Sequence, residues 1–392
     1  MPLNLMILTS YFAVEPRDIR GGIGYRYVGL YASLVKALLN HSSKSQIFWY
    51  SHTDRSLRIS SQTRVQKSKA GMLKAVLSAI SYTFQSRSYL AVIVGYPYAI
   101  PRIGRIFEYI FCLLVLKIFS LGMRVRVIVD DFDPPVECAY AFLEAKPSTQ
   151  AIIYGRTLDI LTLKLASLIT TISEFWRQYL ARIYHIGEEK IFVVSNGSLV
   201  GHIRYNSTRS EGLLTILYAG SAMKVKNIDK LVSTVAKLRE EGLHIDLHIA
   251  GAKLMNLPRW VRMAHYDWPT FVDGILFRSD ICVIPYPSNR LGFFRAVPAK
   301  LFDYMAAGKP IVSTDLKEVS GIIRMFNCGL VARDWKEFKL HLERLCHDRE
   351  LAKKLGENGR RAVKKYFDYE SLADVLLKKI VKIFEVATNA ES

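Results

Sequence analysis

The stretch AKLFDYMAAGKPIVSTD, residues 299–315, reads as a helix, a stop and a strand in close succession. Leu301, Phe302, Met305 and Ala306 fall at i, i+1, i+4 and i+5 and predict one apolar helix face. Gly308 suits a left-handed helix stop, and Pro310 cannot continue the helix. A strand over 310–313 then closes the unit. Asp303, between Phe302 and Tyr304, is either a solvated helix acid or a group that holds a ligand.

The same alternation of strand-like and helix-like runs extends in both directions. Before it come strands at 5–8, 46–50, 91–94, 126–129, 168–172 and 191–194. The polar stretch SLVGHIRYNSTRSEG, residues 198–212, interrupts the pattern. It then restarts with strands at 214–219, 246–250, 280–284, 310–313 and 329–332. Helical patterns such as NIDKLVSTVAKLREEG lie between them. Alternating β and α segments imply an α/β fold with parallel sheets covered on both faces. The restart implies two such domains, at 1–200 and 210–365, with helices over the last residues, 366–392. In open α/β sheets ligands bind beyond the carboxyl ends of the strands, where helix N-termini favour phosphate. Two facing domains would place that site in a cleft.

Composition narrows the partners. The 392 residues carry a formal charge of +19, with a pI near 9.6. Half of the residues are apolar, which excludes a disordered chain. The excess charge suggests an anionic partner: nucleic acid, an acidic membrane surface or a phosphorylated substrate. The five cysteines are scattered without a C-x-x-C pair, so neither a zinc site nor a disulfide framework is expected, and a reducing compartment is. MPLNLMILTSYF reads as a first strand rather than a signal peptide. Between Glu108 and Lys117 run eight uninterrupted apolar residues, too few to span a bilayer.

Two glycine-bearing turns are candidates for anion binding. In RGGIGYRYVGLYASLV, Gly21, Gly22 and Gly24 open a helix and would let backbone N–H groups approach a phosphate or sugar; a plain flexible turn is the other reading. The spacing is not the dinucleotide G-x-G-x-x-G. In YAGSAMKVKNIDKL, a strand ends at Gly220 and a helix starts near Asn227 or Ile228. Lys224 and Lys226 then lie either at an anion site or in water, the usual fate of lysine.

Taken together, these pieces resemble a retaining glycosyltransferase of family four, with the GT-B fold of two facing Rossmann-like domains. The resemblance covers nearly the whole chain. It rests on the early glycine loop, TTISEFWRQYL followed by IFVVSNGS, LYAGSAMKVKN, ICVIPYPSN, AKLFDYMAAGKPIVSTD and the tail LAKKLGENGRRAVKKYFDYESLADVLLKKI. It implies that the C-terminal helix returns toward the N-terminal domain. Family members carry two acids separated by seven positions, and the second, which binds the donor's ribose hydroxyls, corresponds to Asp303. The first falls at Arg295. The family's arginine after the strand glycine is replaced by Ser221, while its lysine matches Lys226. The usual N-domain histidine is absent, and VIVDDFDPP offers Asp130, Asp131 and Asp133 instead.

The resemblance therefore assigns Lys226 and Arg295 to catalysis and Gly21, Gly22, Gly220, Ser221, Lys224, Asp303 and Glu318 to the donor. Asp131 and Asp133 are acceptor-side candidates. Arg295 or Lys224 could replace the missing cation beside the diphosphate. No metal is implied, since no carboxylate pair or His cluster has ligand spacing, and no cofactor, a nucleoside diphosphate sugar being the co-substrate. The implied chemistry is hexose transfer to a hydroxyl, with same-face attack through an oxocarbenium-like state and charge building on the leaving diphosphate. Rival readings are an inactive sugar-nucleotide binder, a nucleotide-sugar epimerase and, for the charge alone, a nucleic-acid binder, for which no recognition motif exists.

The acceptor side carries its own signal. Residues 51–105 hold nine Lys or Arg and one acid, Asp54. Within them, GMLKAVLSAISYTF sets Met72, Leu73, Val76, Leu77, Ile80 and Phe84 on a helix face, and RIGRIFEYIFCLLVLKIF follows. Basic residues beside an apolar helix attract anionic headgroups. This predicts a peripheral enzyme on the cytosolic face of a membrane with a glycan or lipid-linked acceptor; alternatively both helices merely cover the N-domain sheet.

Overall fold

The computed structural model describes residues 2–9, 26–51, 63–66, 71–96, 106–122, 124–132, 148–205, 212–220, 226–251, 257–289 and 297–389. Two sheets organise these residues, and every strand pairing in both is parallel.

The first sheet has seven strands: β1 (Leu3–Thr9), β2 (Ile47–Ser51), β3 (Thr63–Gln66), β4 (Tyr89–Tyr96), β5 (Val125–Asp131), β6 (Leu168–Thr171) and β7 (Ile191–Val193). Their order is β3-β2-β1-β4-β5-β6-β7. The second has six: β8 (Leu214–Ala219), β9 (Ile245–Ala250), β10 (Val261–Ala264), β11 (Ile281–Ile284), β12 (Ile311–Thr314) and β13 (Gly329–Ala332), in the order β10-β9-β8-β11-β12-β13. The strand order reverses direction between β1 and β4 in one sheet and between β8 and β11 in the other. Neighbouring loops diverge at such switch points and leave a crevice at the carboxyl ends of the strands.

The edge strands β3 and β10 correct the sequence reading, which has no strand there. Each is four residues long and contains an arginine, TRVQ and VRMA. Short, charged edges discourage pairing with another chain and give no apolar run to detect.

Helix 299–306 is a second correction. The apolar face predicted from Leu301, Phe302, Met305 and Ala306 is buried, but so are Asp303 and Tyr304. The far side is covered by helix 349–366, which packs directly on it. Small residues allow the close approach: a Cβ at Gly356 would overlap the Gly308 carbonyl, and one at Gly359 would sit in contact with Met305 at 3.4 Å. Arg360 then donates to the Ala306 carbonyl at the helix end. Gly308 has φ +70°, the left-handed stop expected of it.

One face of the first sheet is covered by helices 72–85, 106–121 and 149–165, which share a core with alternate residues of β1, β2, β4 and β5. The other face packs on helix 32–41 and the C-terminal helix 369–389. Phe384 near the end of that helix meets the Tyr89 ring edge-on. The core on this side does not stop at the first sheet. It runs through Leu199, Val200 and Ile203 into the second, so a single apolar cluster spans both sheets.

Candidate functional site

The segment 194–205 passes between the sheets and is bonded on both sides. Arg26 is fully buried and donates to both carboxylate oxygens of Asp130, at 2.7 and 2.6 Å. It also donates to the carbonyls of Val194 and Ser195, at 3.0 and 3.2 Å. Burial alone would lower the pKa of the guanidinium; the adjacent Asp130 charge outweighs it and holds the group above its ordinary value. Tyr31 and Thr170 donate to the same carboxylate, at 2.7 and 2.6 Å. Asp130 is thus a fully engaged structural anchor for the crossover. On the other side, Asn196 Nδ2 donates to the Val297 carbonyl at 2.8 Å, and Ser198 Oγ donates to Asp303 Oδ1 at 2.8 Å.

Asp303 is therefore no solvated helix acid: it is 2% exposed. Its carboxylate receives the crossover hydroxyl, and the rings of Tyr304 and Tyr369 feel its charge.

A different set of side chains gathers at the β8/β11 switch point. β8 ends at Ala219, whose N–H donates to the Tyr304 hydroxyl at 2.8 Å, fixing the strand end against helix 299–306. Gly220 follows with φ +132°, a conformation that a side chain would strain. Lys226 lies just before helix 228–240 and is 7% exposed, with Nζ 5.5 Å from the centre of the Tyr286 ring beyond β11. Burial lowers the pKa of its ammonium to about 8. Asn227, left-handed at φ +58°, turns the chain into the helix, and its side-chain amide donates to the Pro285 carbonyl at 3.0 Å. The switch point is thereby closed across β8 and β11 by the residue next to Lys226.

Lys300 joins Lys226 there and is absent from the sequence reading. Its Nζ is shielded from solvent, although the stem of the side chain is partly exposed. The nitrogen lies 4.3 Å from the Tyr218 ring centre and 5.1 Å from that of Tyr286. Among the described residues it has no hydrogen-bond partner. Burial lowers its pKa well below the usual lysine value, and the charge of Lys226 lowers it further. The available signal was a lysine directly after Pro298-Ala299, at the start of a helix that is otherwise buried all round.

The other candidates divide by place. Glu318 is half-buried in the first turn of helix 317–326, after the carboxyl end of β12. Asp131 ends β5 in register with Tyr96 and is buried. Nearby, the hydroxyls of Tyr96 and Tyr184 both donate to the buried Asp159 carboxylate. Gly21, Gly22, Asp133, Ser221, Lys224 and Arg295 lie outside the described residues. Among the described residues no three His, Cys, Asp or Glu side chains come together as metal ligands would.

A parallel sheet pair with lysines at the second switch point can hold an anion. Residues 202–362, the part that builds this site, match the family model of glycosyl transferases group 1. The fold is GT-B. Similar solved structures span almost the whole chain. Sucrose-phosphate synthase from Thermosynechococcus elongatus is 14% identical, with a TM-score of 0.68 over 98% of this chain and 100% of its own. WaaG, a glycosyltransferase involved in lipopolysaccharide biosynthesis, is 13% identical, with a TM-score of 0.60 over 95% and 99%. Anabaena HepE in complex with UDP-glucose is 11% identical, with a TM-score of 0.62 over 97% and 99%. No curated protein sequence matches. At these identities the GT-B likeness is one of fold, and the reading of the site rests on its own residues.

Proposed function

We propose that this GT-B chain is a retaining, metal-independent hexosyltransferase that uses a nucleoside diphosphate sugar and a hydroxyl acceptor on a lipid-linked glycan. The observation that carries the reading is the buried Lys226 ammonium at the β8/β11 switch point, over the Tyr286 ring. A desolvated ammonium is worth far more to a diphosphate than an exposed one. The group 1 family match over this same segment supports it. So does the neighbour HepE, whose structure contains UDP-glucose.

In the reaction, the bond from the sugar's anomeric carbon to the diphosphate breaks and a bond to the acceptor oxygen forms on the same face. The acceptor proton passes to the leaving phosphate. Lys226 stabilises the negative charge that builds there. Asp303, placed at the helix bordering the site, is the candidate for the ribose, with its carboxylate shared with Ser198.

A membrane location for the acceptor is supported by an apolar face. On helix 106–121, Phe107, Phe111, Leu114, Ile118 and Leu121 are exposed, Phe107 by 82% and Leu121 by 74%. Their spacing of four, three, four and three residues sets them on one side of the helix. Helix 72–85 adds exposed Leu77 and Phe84, and Phe84 touches Phe119 edge-on at 5.8 Å. Both helices do cover the sheet with their inner sides, yet their outer sides remain greasy. Among the described residues no helix is long and apolar enough to cross a membrane. A face of this kind, in a chain of charge +19, suits an anionic bilayer surface.

The test is a transfer assay with a panel of nucleotide sugars and membrane lipid extract. Transfer with retained anomeric configuration, insensitive to chelator, is expected. Binding of a donor without transfer or hydrolysis would replace this reading by an inactive sugar-nucleotide binder. Product formed without acceptor would indicate an epimerase.

A further inference from the structure

We infer that Lys300 is a second diphosphate-binding group of this site, holding the donor's phosphates together with Lys226. The inference rests on the proposed use of a nucleoside diphosphate sugar. An ammonium has three N–H donors and no acceptor capacity, and burying it without hydrogen bonds is strongly unfavourable. The faces of Tyr218 and Tyr286 offset part of that cost through their π clouds but satisfy none of the three donors. A second lysine beside it adds repulsion, since the Lys226 charge disfavours protonation of Lys300. No described carboxylate forms an ion pair with it.

Two neighbouring ammonium groups, one of them without a hydrogen-bond partner among the described residues, suit one shared anion. An anion at the carboxyl end of β8 would meet both ammonium groups at once, and a diphosphate carries charge on both of its phosphates. Gly220 supports this position: a Cβ built on it would lie 2.5 Å from Lys300 Nζ and 3.4 Å from the Tyr218 hydroxyl. The glycine therefore leaves room for the nitrogen itself at the end of β8. A merely structural lysine would direct its nitrogen to a carbonyl, as Lys309 does, donating to the Phe277 carbonyl at 2.9 Å. Binding of the anion would also favour the ammonium form, so donor binding should draw a proton from solvent.

The test is calorimetry of UDP, GDP and inorganic pyrophosphate with wild type, Lys300→Met and Lys300→Gln, each in two buffers of different ionisation enthalpy. Wild type should bind at least one nucleoside diphosphate with proton uptake. Both variants should bind it about ten-fold more weakly or worse, as expected for loss of a charge-assisted hydrogen bond, and take up fewer protons. Without ligand, Lys300→Met should melt at or above the wild-type temperature, because it removes an unpaired buried charge of similar volume. Wild-type affinity in both variants would overturn the inference, and if Lys226→Ala still lost affinity the proposed function would stand. Both variants melting well below wild type would make Lys300 structural and overturn it equally. Failure of wild type to bind any of the three probes would sink the donor reading and this inference together.

Discussion

Lys226 and Lys300 approach the same ring: their ammonium nitrogens lie 5.5 and 5.1 Å from the centre of Tyr286. Two like charges thus converge on one aromatic ring at the carboxyl edge of the second sheet. Unliganded, this is a destabilising arrangement, and its titration is measurable.

The pH dependence follows from Lys226, whose folded pKa of about 8 lies below the 10.5 of an ordinary lysine. Between those values the unfolded chain binds more protons than the folded one, so this lysine makes stability rise with pH across the window. Below pH 8 the full penalty of the buried charge applies. Urea melts of the unliganded protein between pH 8 and 9.5 should therefore rise more steeply for wild type than for Lys226→Met. Equal slopes would mean that the ammonium is not desolvated.

Gly220→Ala combines a strained φ of +132° with a Cβ aimed at Lys300 Nζ. A strained backbone conformation of this kind costs about 1–3 kcal/mol. The variant should lose stability by that amount in denaturant melts and lose nucleotide binding as well. Gly274→Ala, in a helical segment with open space around its Cα, is the control and should be close to neutral in both assays.

Ser198→Ala removes a donor to Asp303 Oδ1 and leaves a buried carboxylate less satisfied. The expected cost is about 1–3 kcal/mol. Asp303→Asn keeps an acceptor for Ser198 and should cost less than Asp303→Ala in a melt. If Asp303 also holds the ribose, nucleotide binding in Asp303→Asn should fall by more than the change in stability explains. Parallel losses in Ser198→Ala and Asp303→Asn, with unchanged nucleotide affinity, would confine Asp303 to the crossover anchor.

Replacing Phe107, Phe111 and Ile118 together by Ser should leave the melting temperature nearly unchanged, because exposed substitutions are usually within about 0.5 kcal/mol each. Flotation with anionic vesicles should fall sharply in the same variant. Wild-type flotation would remove the helix 106–121 face from the account.

Much of the scaffold is readable from the chain because buried parallel strands are apolar runs punctuated by glycine and helix. Strands 214–219 and 329–332 have the expected bounds, and helix 228–240 begins where Asn227-Ile228 predicted. The short edges β3 and β10 are hidden because their four residues include a charge and no run. Helix 299–306 looked one-sided because its second cover, helix 349–366, approaches through Gly356 and Gly359 from fifty residues away. Lys300 is hidden in the sequence for a related reason. A lysine is exposed by default, and the rings that enclose it come from Tyr218 and Tyr286, on strands brought together only by the fold. Asp303 stands out in its apolar helix, but Ser198, which bonds it, lies 105 positions earlier and no local pattern joins them.

The central claim is that a nucleoside diphosphate sugar binds by its phosphates at the β8/β11 switch point. Thermal shift of wild type and Lys226→Ala with UDP, GDP and their sugars tests it most directly, since a ligand that binds only the folded state raises the melting temperature. The account predicts a concentration-dependent rise in wild type with at least one nucleoside diphosphate, largely lost in a Lys226→Ala variant that melts normally on its own. No rise with any of them, or an equal rise in Lys226→Ala, would contradict it.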